Sequence, residues 1–142
     1  MNCVVDAAVA IKWFVAEPLR PAALRLLDPD TALHAPDLIL ADLAETVRLR
    51  LQRGAMAPEQ ARLALRHAPA CFERLHPARE IHEQALELGL RLGLPAAPCF
   101  YLACARTLDA ALVTADARLA GLDGGPLAIS ILPLAALPAL AS

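Results

Sequence analysis

Two aspartates stand where short apolar runs stop. Asp6 ends "CVV" (residues 3–5), and Asp116 follows "ALVTA" (residues 111–115), each directly before a helical run. In a parallel sheet these are the positions outside the carboxyl ends of the strands, where ligands bind near the switch in strand order. A third acidic element lies in "PDLILADLAETVRLRLQRG", where Asp42 and Glu45 are three residues apart and share a helix face. On that helix Leu40, Leu43, Val47 and Leu51 are expected to form the apolar stripe. Carboxylates gathered at strand ends suit a hard divalent cation such as Mg²⁺, which takes oxygen ligands and keeps several waters. The chemistry such sites run is phosphoryl transfer or phosphodiester hydrolysis. The residues alone leave another reading open. Asp6 and Asp116 are also suited to cap the helices they precede, and Asp42 and Glu45 to be ordinary solvated charges.

Other chemistries find less support. No GxxxxGK[ST], GxGxxG or GxSxG occurs, so nucleotide-binding glycine loops and a serine nucleophile elbow have no motif. A phosphatase with an aspartate nucleophile would want a second Asp two residues after Asp6, where Ala8 stands. His34, His67, His76 and His82 form no HExxH and are expected to be structural or at the surface. Cys3, Cys71, Cys99 and Cys104 show no CxxC spacing, and three of them sit in apolar runs, as buried reduced thiols do. With 4% aromatic residues, base stacking is not the main recognition mode. The net charge of −2 makes any nucleic-acid contact a matter of a local patch.

The acids need a scaffold, and the 142 residues suffice for one domain spanning 1–142. Strands are expected at 2–5, 32–35, 72–75, 111–114 and 127–132. Helices are expected at 18–28, 38–53, 58–67, 77–92, 98–107 and 116–121. Short strands alternating with longer helices predict an α/β fold, a parallel sheet with helices on both faces. The N-terminus lacks the basic region of a signal peptide, and Asp6 and Lys12 interrupt its apolar stretch. The ending "PLAISILPLAALPALAS" is broken by Pro133 and Pro138 and is too short to span a membrane. It reads as a last strand and an apolar packing or dimerising tail over 132–142.

With these motifs in place, the chain resembles the PIN domain, and within that family the VapC-type toxins of bacterial toxin–antitoxin pairs. "VVDAAVAIKWF" is similar to the family's opening strand, "APDLILADLAETVRLRLQRG" to its acid-bearing helix, and "FYLACA" with "ALVTADARLAG" to its C-terminal half. The resemblance runs from about residue 2 to 132. It implies a three-layer α/β/α fold with a small parallel sheet, and an acid cluster that binds Mg²⁺ or Mn²⁺ and cleaves RNA. The family's acids fall on Asp6, on Asp42 in place of a glutamate, and on Asp116. Glu45 stands where asparagine is frequent, and Thr114 matches a frequent hydroxyl. The remaining acid position holds Pro98, which can open a helix but offers no side-chain oxygen. Lys12, Arg48, Arg50 and Arg53 are candidates for contacting RNA, as is Thr114. The resemblance further implies a small VapB-like antitoxin partner, a homodimer, a cytoplasmic location and no membrane partner. Pro98 and Ala8 motivate the rival reading, a degenerate PIN domain that binds RNA or a protein without cutting.

Overall fold

A computed structural model describes residues 1–137 of the chain. Five parallel strands form one sheet: β1 (Asn2–Val5), β2 (Ala32–Pro36), β3 (Arg74–His76), β4 (Ala111–Thr114) and β5 (Ile131–Pro133). Their order is β3-β2-β1-β4-β5, with β1 in the middle. From β1 the chain first steps outward to β2 and β3, then returns across the sheet to β4 and β5. This reversal opens a crevice between the carboxyl ends of β1 and β4. Right-handed crossovers put the connections of the two halves on opposite faces, giving the expected three layers. The helices are α1 (Ala7–Ala10), α2 (Arg20–Arg25), α3 (Ile39–Gln52), α4 (Pro58–His67), α5 (His82–Leu92), α6 (Ala96–Leu108) and α7 (Ala117–Ala120). α6 lies over β1, β2 and β4 and packs closely on α5.

The central strands are apolar throughout because both of their faces are covered. Cys3, Val4, Val5, Leu112 and Val113 are all fully buried. Cys99 and Cys104 join them from α6, and all four cysteines are free thiols, as their spacing predicts. Ile39, Leu43 and Val47 form the buried stripe of α3. This corrects the expected stripe: Leu40 and Leu51 lie on the flanks and are exposed. The buried line runs i, i+4, i+8 from Ile39, one residue earlier at its start than predicted, because packing on the core selects Ile39 over its apolar neighbour Leu40. Two strands also shift. β3 covers 74–76 rather than 72–75, and β5 is confined to 131–133. Leu127 and Ile129 are buried without being in a strand, because Gly125–Leu127 is a 3-10 turn and Ala128 is left-handed at φ 57°. Apolar periodicity reports burial there, not strand pairing. Of the predicted tail, Leu134–Ala136 is a 3-10 turn with Leu134 buried, and residues 138–142 lie outside the described residues.

No single helix among the described residues is long and apolar enough to cross a membrane. α5 and α6 reach that composition only together, and they meet at 115°.

One polar cluster fixes α3 against the segment that follows α1. Glu17 accepts from Lys12 Nζ at 3.0 Å and from Arg50 Nη2 and Nε at 3.0 and 3.1 Å. All three side chains are at most 17% exposed. A paired charge in such a place is stable only with its partners present. Burial pushes the Glu17 carboxyl up, but the hydrogen bonds from Arg50 and Lys12 outweigh it and hold it below the usual glutamate range. We therefore expect Glu17→Gln to destabilise the fold by about 1–2 kcal/mol at neutral pH, read as a lowered urea midpoint. The folded value lies below the unfolded one. The stabilisation is thus complete above the ordinary glutamate range and lost as pH falls through the folded value. The wild-type advantage should close under acid; a gap that persists at low pH would assign it to packing instead.

Candidate metal centre

The site is assembled from four segments distant in sequence. One step beyond the Val5↔Val113 pair of β1 and β4, Asp6 falls beside Thr114. The Thr114 hydroxyl, fully buried, donates to Asp6 Oδ2 and accepts from the Asp116 backbone N–H at 2.9 Å. The other Asp6 oxygen accepts from Val9 N at 3.0 Å, so Asp6 does cap α1. Asp116 caps α7 in the same manner, accepting from Arg118 N at 2.8 Å. On α3, Asp42, Glu45 and Thr46 share a face beside the buried stripe, with Asp42 in the first turn, where the helix dipole favours a negative charge. On α6, Pro98 and Tyr101 are one turn apart. The Tyr101 hydroxyl donates to Asp42 Oδ2 at 2.5 Å.

These residues line a single cleft of about 260 Å³, in which Asp6, Asp42, Glu45 and Asp116 face Pro98, Tyr101 and Arg118. The four acids singled out in the sequence are thereby brought together. Pro98 is the third residue of α6 and faces the same cleft, so its position could present an acid to the others. The acids line a wall rather than form a cage: among the described residues, no three Asp, Glu, His or Cys side chains already make a coordination sphere.

The carboxylates differ in their electrostatics. Asp6 is only 5% exposed, and burial raises its carboxyl above the usual aspartate range, against the lowering effect of Thr114 and Val9. The nearby charge of Asp116 raises it further. For Asp116, burial acts in the same direction but is outweighed by Arg118, whose guanidinium and backbone N–H hold it below the usual range. Glu45 is held low mainly by its hydrogen bonds from Arg48. Burial and the bond to Asp42 push the Tyr101 hydroxyl far up, so it acts as a donor and not as an acid.

The residues predicted to contact RNA do not gather here. Lys12 and Arg50 are committed to Glu17, and neither lines the cleft. Arg53 caps the far end of α3, about 16 Å along the axis from Asp42. Thr114 is fully buried, and its hydroxyl is occupied by Asp6 and Asp116. Sequence reasoning missed Tyr101 and Arg118, although Tyr101 lies three residues after Pro98 and Arg118 two after Asp116. It also missed the pairing of His34 Nδ1 with His76 Nε2 at 3.1 Å across β2 and β3, which the sequence separation of 42 residues conceals.

A buried carboxylate kept ionised at neutral pH is a cost to the fold. In chelator at pH 8, Asp6→Asn should therefore melt at a higher temperature than the wild type, since asparagine still caps α1 and carries no charge. A lower melting temperature would show that the Thr114 and Val9 bonds more than compensate the burial of charge.

Comparison with known proteins bears on the fold and the family. The PIN domain family model matches residues 3–125. Ribonuclease VapC1 of Mycobacterium tuberculosis is 30% identical over 131 residues, covering 92% of this chain and 97% of that protein. Among solved structures, PAE2754 from Pyrobaculum aerophilum superposes with a TM-score of 0.64 at 18% identity, covering 99% of this chain and 90% of that one. VapBC2 from Rickettsia felis, bound to a DNA fragment from its promoter, gives 0.61 at 13% identity, covering 94% and 98%. The chain belongs to the PIN-domain family, among its VapC-type members.

Proposed function

We propose that the protein is the toxin of a toxin–antitoxin pair, a ribonuclease that hydrolyses RNA phosphodiester bonds with the help of Mg²⁺ or Mn²⁺. The observation that carries this reading is the convergence of Asp6, Asp42, Glu45 and Asp116 on one cleft at the switch point of the sheet. The choice of RNA follows the relatives, which are named ribonucleases. An all-carboxylate donor set fits a hard cation that retains part of its water shell, and needs no closed cage. Asp6 and Asp116 favour the same ion for a second reason. Two carboxylates whose charges oppose each other in a partly buried place are relieved by a divalent counter-charge. Asp6, Asp42 and Asp116 would hold the cation, with Glu45 at the rim. When bound, such an ion supplies Lewis-acid stabilisation of the charge that develops on phosphate. The chain's own part is orientation: Val9 N–H and the Thr114 hydroxyl fix Asp6, Arg118 N–H fixes Asp116, and Tyr101 fixes Asp42.

A small VapB-like antitoxin is the partner we infer, supported by the VapBC2 structure. Five exposed leucines on α3 and α4, Leu40, Leu49, Leu51, Leu63 and Leu65, offer apolar surface for it or for a second copy in a homodimer. A cytoplasmic location accords with both.

The second reading is a degenerate PIN domain that binds RNA or a protein without cutting. Pro98 in the cleft wall favours it, because that position contributes no oxygen. Cleavage of a structured RNA with and without Mg²⁺ or Mn²⁺ separates the two. Metal-dependent cutting by the wild type should fall at least about 100-fold in Asp6→Asn. Cutting by Pro98→Asp alone would make the native protein the degenerate form.

A further inference from the structure

The cleft has a charge problem if its substrate is a polyanion. Four carboxylates line it, and Arg118 is its one lining cation among the described residues. Lys12 and Arg50 share the part-buried carboxylate of Glu17 outside the cleft, and Arg48, in an exposed pair with Glu45, does not line it. Arg118 is held differently. Its Nη2 lies 3.1 Å from Asp116 Oδ2 and its Nε 3.4 Å from Oδ1, with the side chain 55% exposed at the mouth. Exposed ion pairs of this kind add little to stability and exchange readily.

Two features make that exchange useful. The Asp116 carboxylate is also anchored by the Arg118 backbone N–H at 2.8 Å, so it stays aimed when the guanidinium leaves. In addition, a guanidinium presents the same planar fork to a carboxylate and to a phosphate, so one group can serve both in turn.

We propose that Arg118 is the phosphate-binding residue of the cleft, a counter-ion that releases Asp116 to the divalent cation and then contacts an RNA phosphate. The proposal rests on the nuclease reading above and adds the substrate contact which that reading lacks. It has a consequence that a purely structural ion pair does not share: removing Arg118 should change metal and RNA binding in opposite directions.

The test uses the full chain with Arg118→Ala and Arg118→Lys. Mn²⁺ titrated calorimetrically without RNA should bind Arg118→Ala about 2- to 5-fold tighter than wild type, since a competing counter-ion is gone. A single-stranded 2′-O-methyl RNA oligonucleotide, followed by fluorescence anisotropy with Mn²⁺ present, should bind that variant about 10-fold more weakly. The slope of log affinity against log salt should become shallower by about 0.7, the value for one lost phosphate contact on a single strand. Arg118→Lys should keep the wild-type slope while losing affinity, because it keeps the charge and not the fork. Unchanged RNA affinity and slope in Arg118→Ala, or weaker Mn²⁺ binding, would overturn the proposal while leaving a metal-binding, RNA-binding wild type intact. A wild type that binds neither Mn²⁺ nor the RNA would overturn the nuclease reading and the role of Arg118 with it.

Discussion

The hydrogen bond from Thr114 to Asp6 joins residues 108 positions apart and holds the ends of two neighbouring strands in register. A carboxylate so buried is costly unless hydrogen-bonded, and both of its oxygens are accounted for, one by Thr114 and one by Val9. This requirement explains several neighbours at once. β4 must run parallel to β1 so that Thr114 arrives level with Asp6. α1 must begin immediately, so that Val9 N–H turns back on the carboxylate. Asp116 follows within two residues because the same Thr114 oxygen accepts its backbone N–H. The candidate centre thus grows out of one buried group and the partners it needs.

Capping and metal binding first presented themselves as competing accounts of Asp6 and Asp116. They are compatible. A capping bond uses a lone pair of one oxygen and fixes the orientation of the whole carboxylate, which is what a ligand needs before any cation arrives. The two residues nonetheless differ. Asp6 sits deep, and burial holds its proton more tightly. Asp116 sits at the mouth with a guanidinium against it, and stays ionised. One cleft therefore holds a carboxylate that disfavours its own charge beside another whose charge is already balanced. On the proposed function, that asymmetry would draw a divalent cation toward the deep carboxylate and leave the arginine at the mouth.

Much of this was legible in the sequence, and the gaps have physical causes. Strand ends were visible because central parallel strands are apolar on both faces and stop abruptly at Asp6 and near Asp116. The face shared by Asp42 and Glu45 followed from helical spacing alone. The stripe of α3 was misplaced at its ends because Leu38, Ile39 and Leu40, and again Leu49 and Leu51, put apolar residues on more than one face, and only packing decides which face is buried. β5 was overextended because Leu127 and Ile129 are buried by a turn, and burial alone does not distinguish a strand from a packed loop. The surroundings of the basic residues were hidden for a different reason. Charge and helix position suggested Lys12 and Arg50, but Glu17, 33 residues from Arg50, had claimed both. Long-range ion pairing leaves no periodic trace.

That last point bears on what the cleft can do. Had Lys12 and Arg50 remained free, the path to the acids could have been electropositive, with long-range attraction of RNA. Lys12 and Arg50 instead share one carboxylate, Glu17, outside the cleft, and the cleft itself is lined by four acids against Arg118, a negative balance that opposes the approach of phosphate. Order of binding then becomes a property of the charge distribution. Under the proposed function, a bound cation would lower the barrier to RNA, and RNA would in turn raise the affinity for the cation, since coupling between two ligands is reciprocal. Pro98 acts on the same balance. An acid there would add one more negative charge to the four already lining the cleft, strengthening the pull on a cation and the repulsion of RNA before it arrives. With proline at that position, a cation would be held by fewer oxygens and RNA would meet less negative charge, so on the proposed function the absence of a fifth acid would not by itself abolish the chemistry.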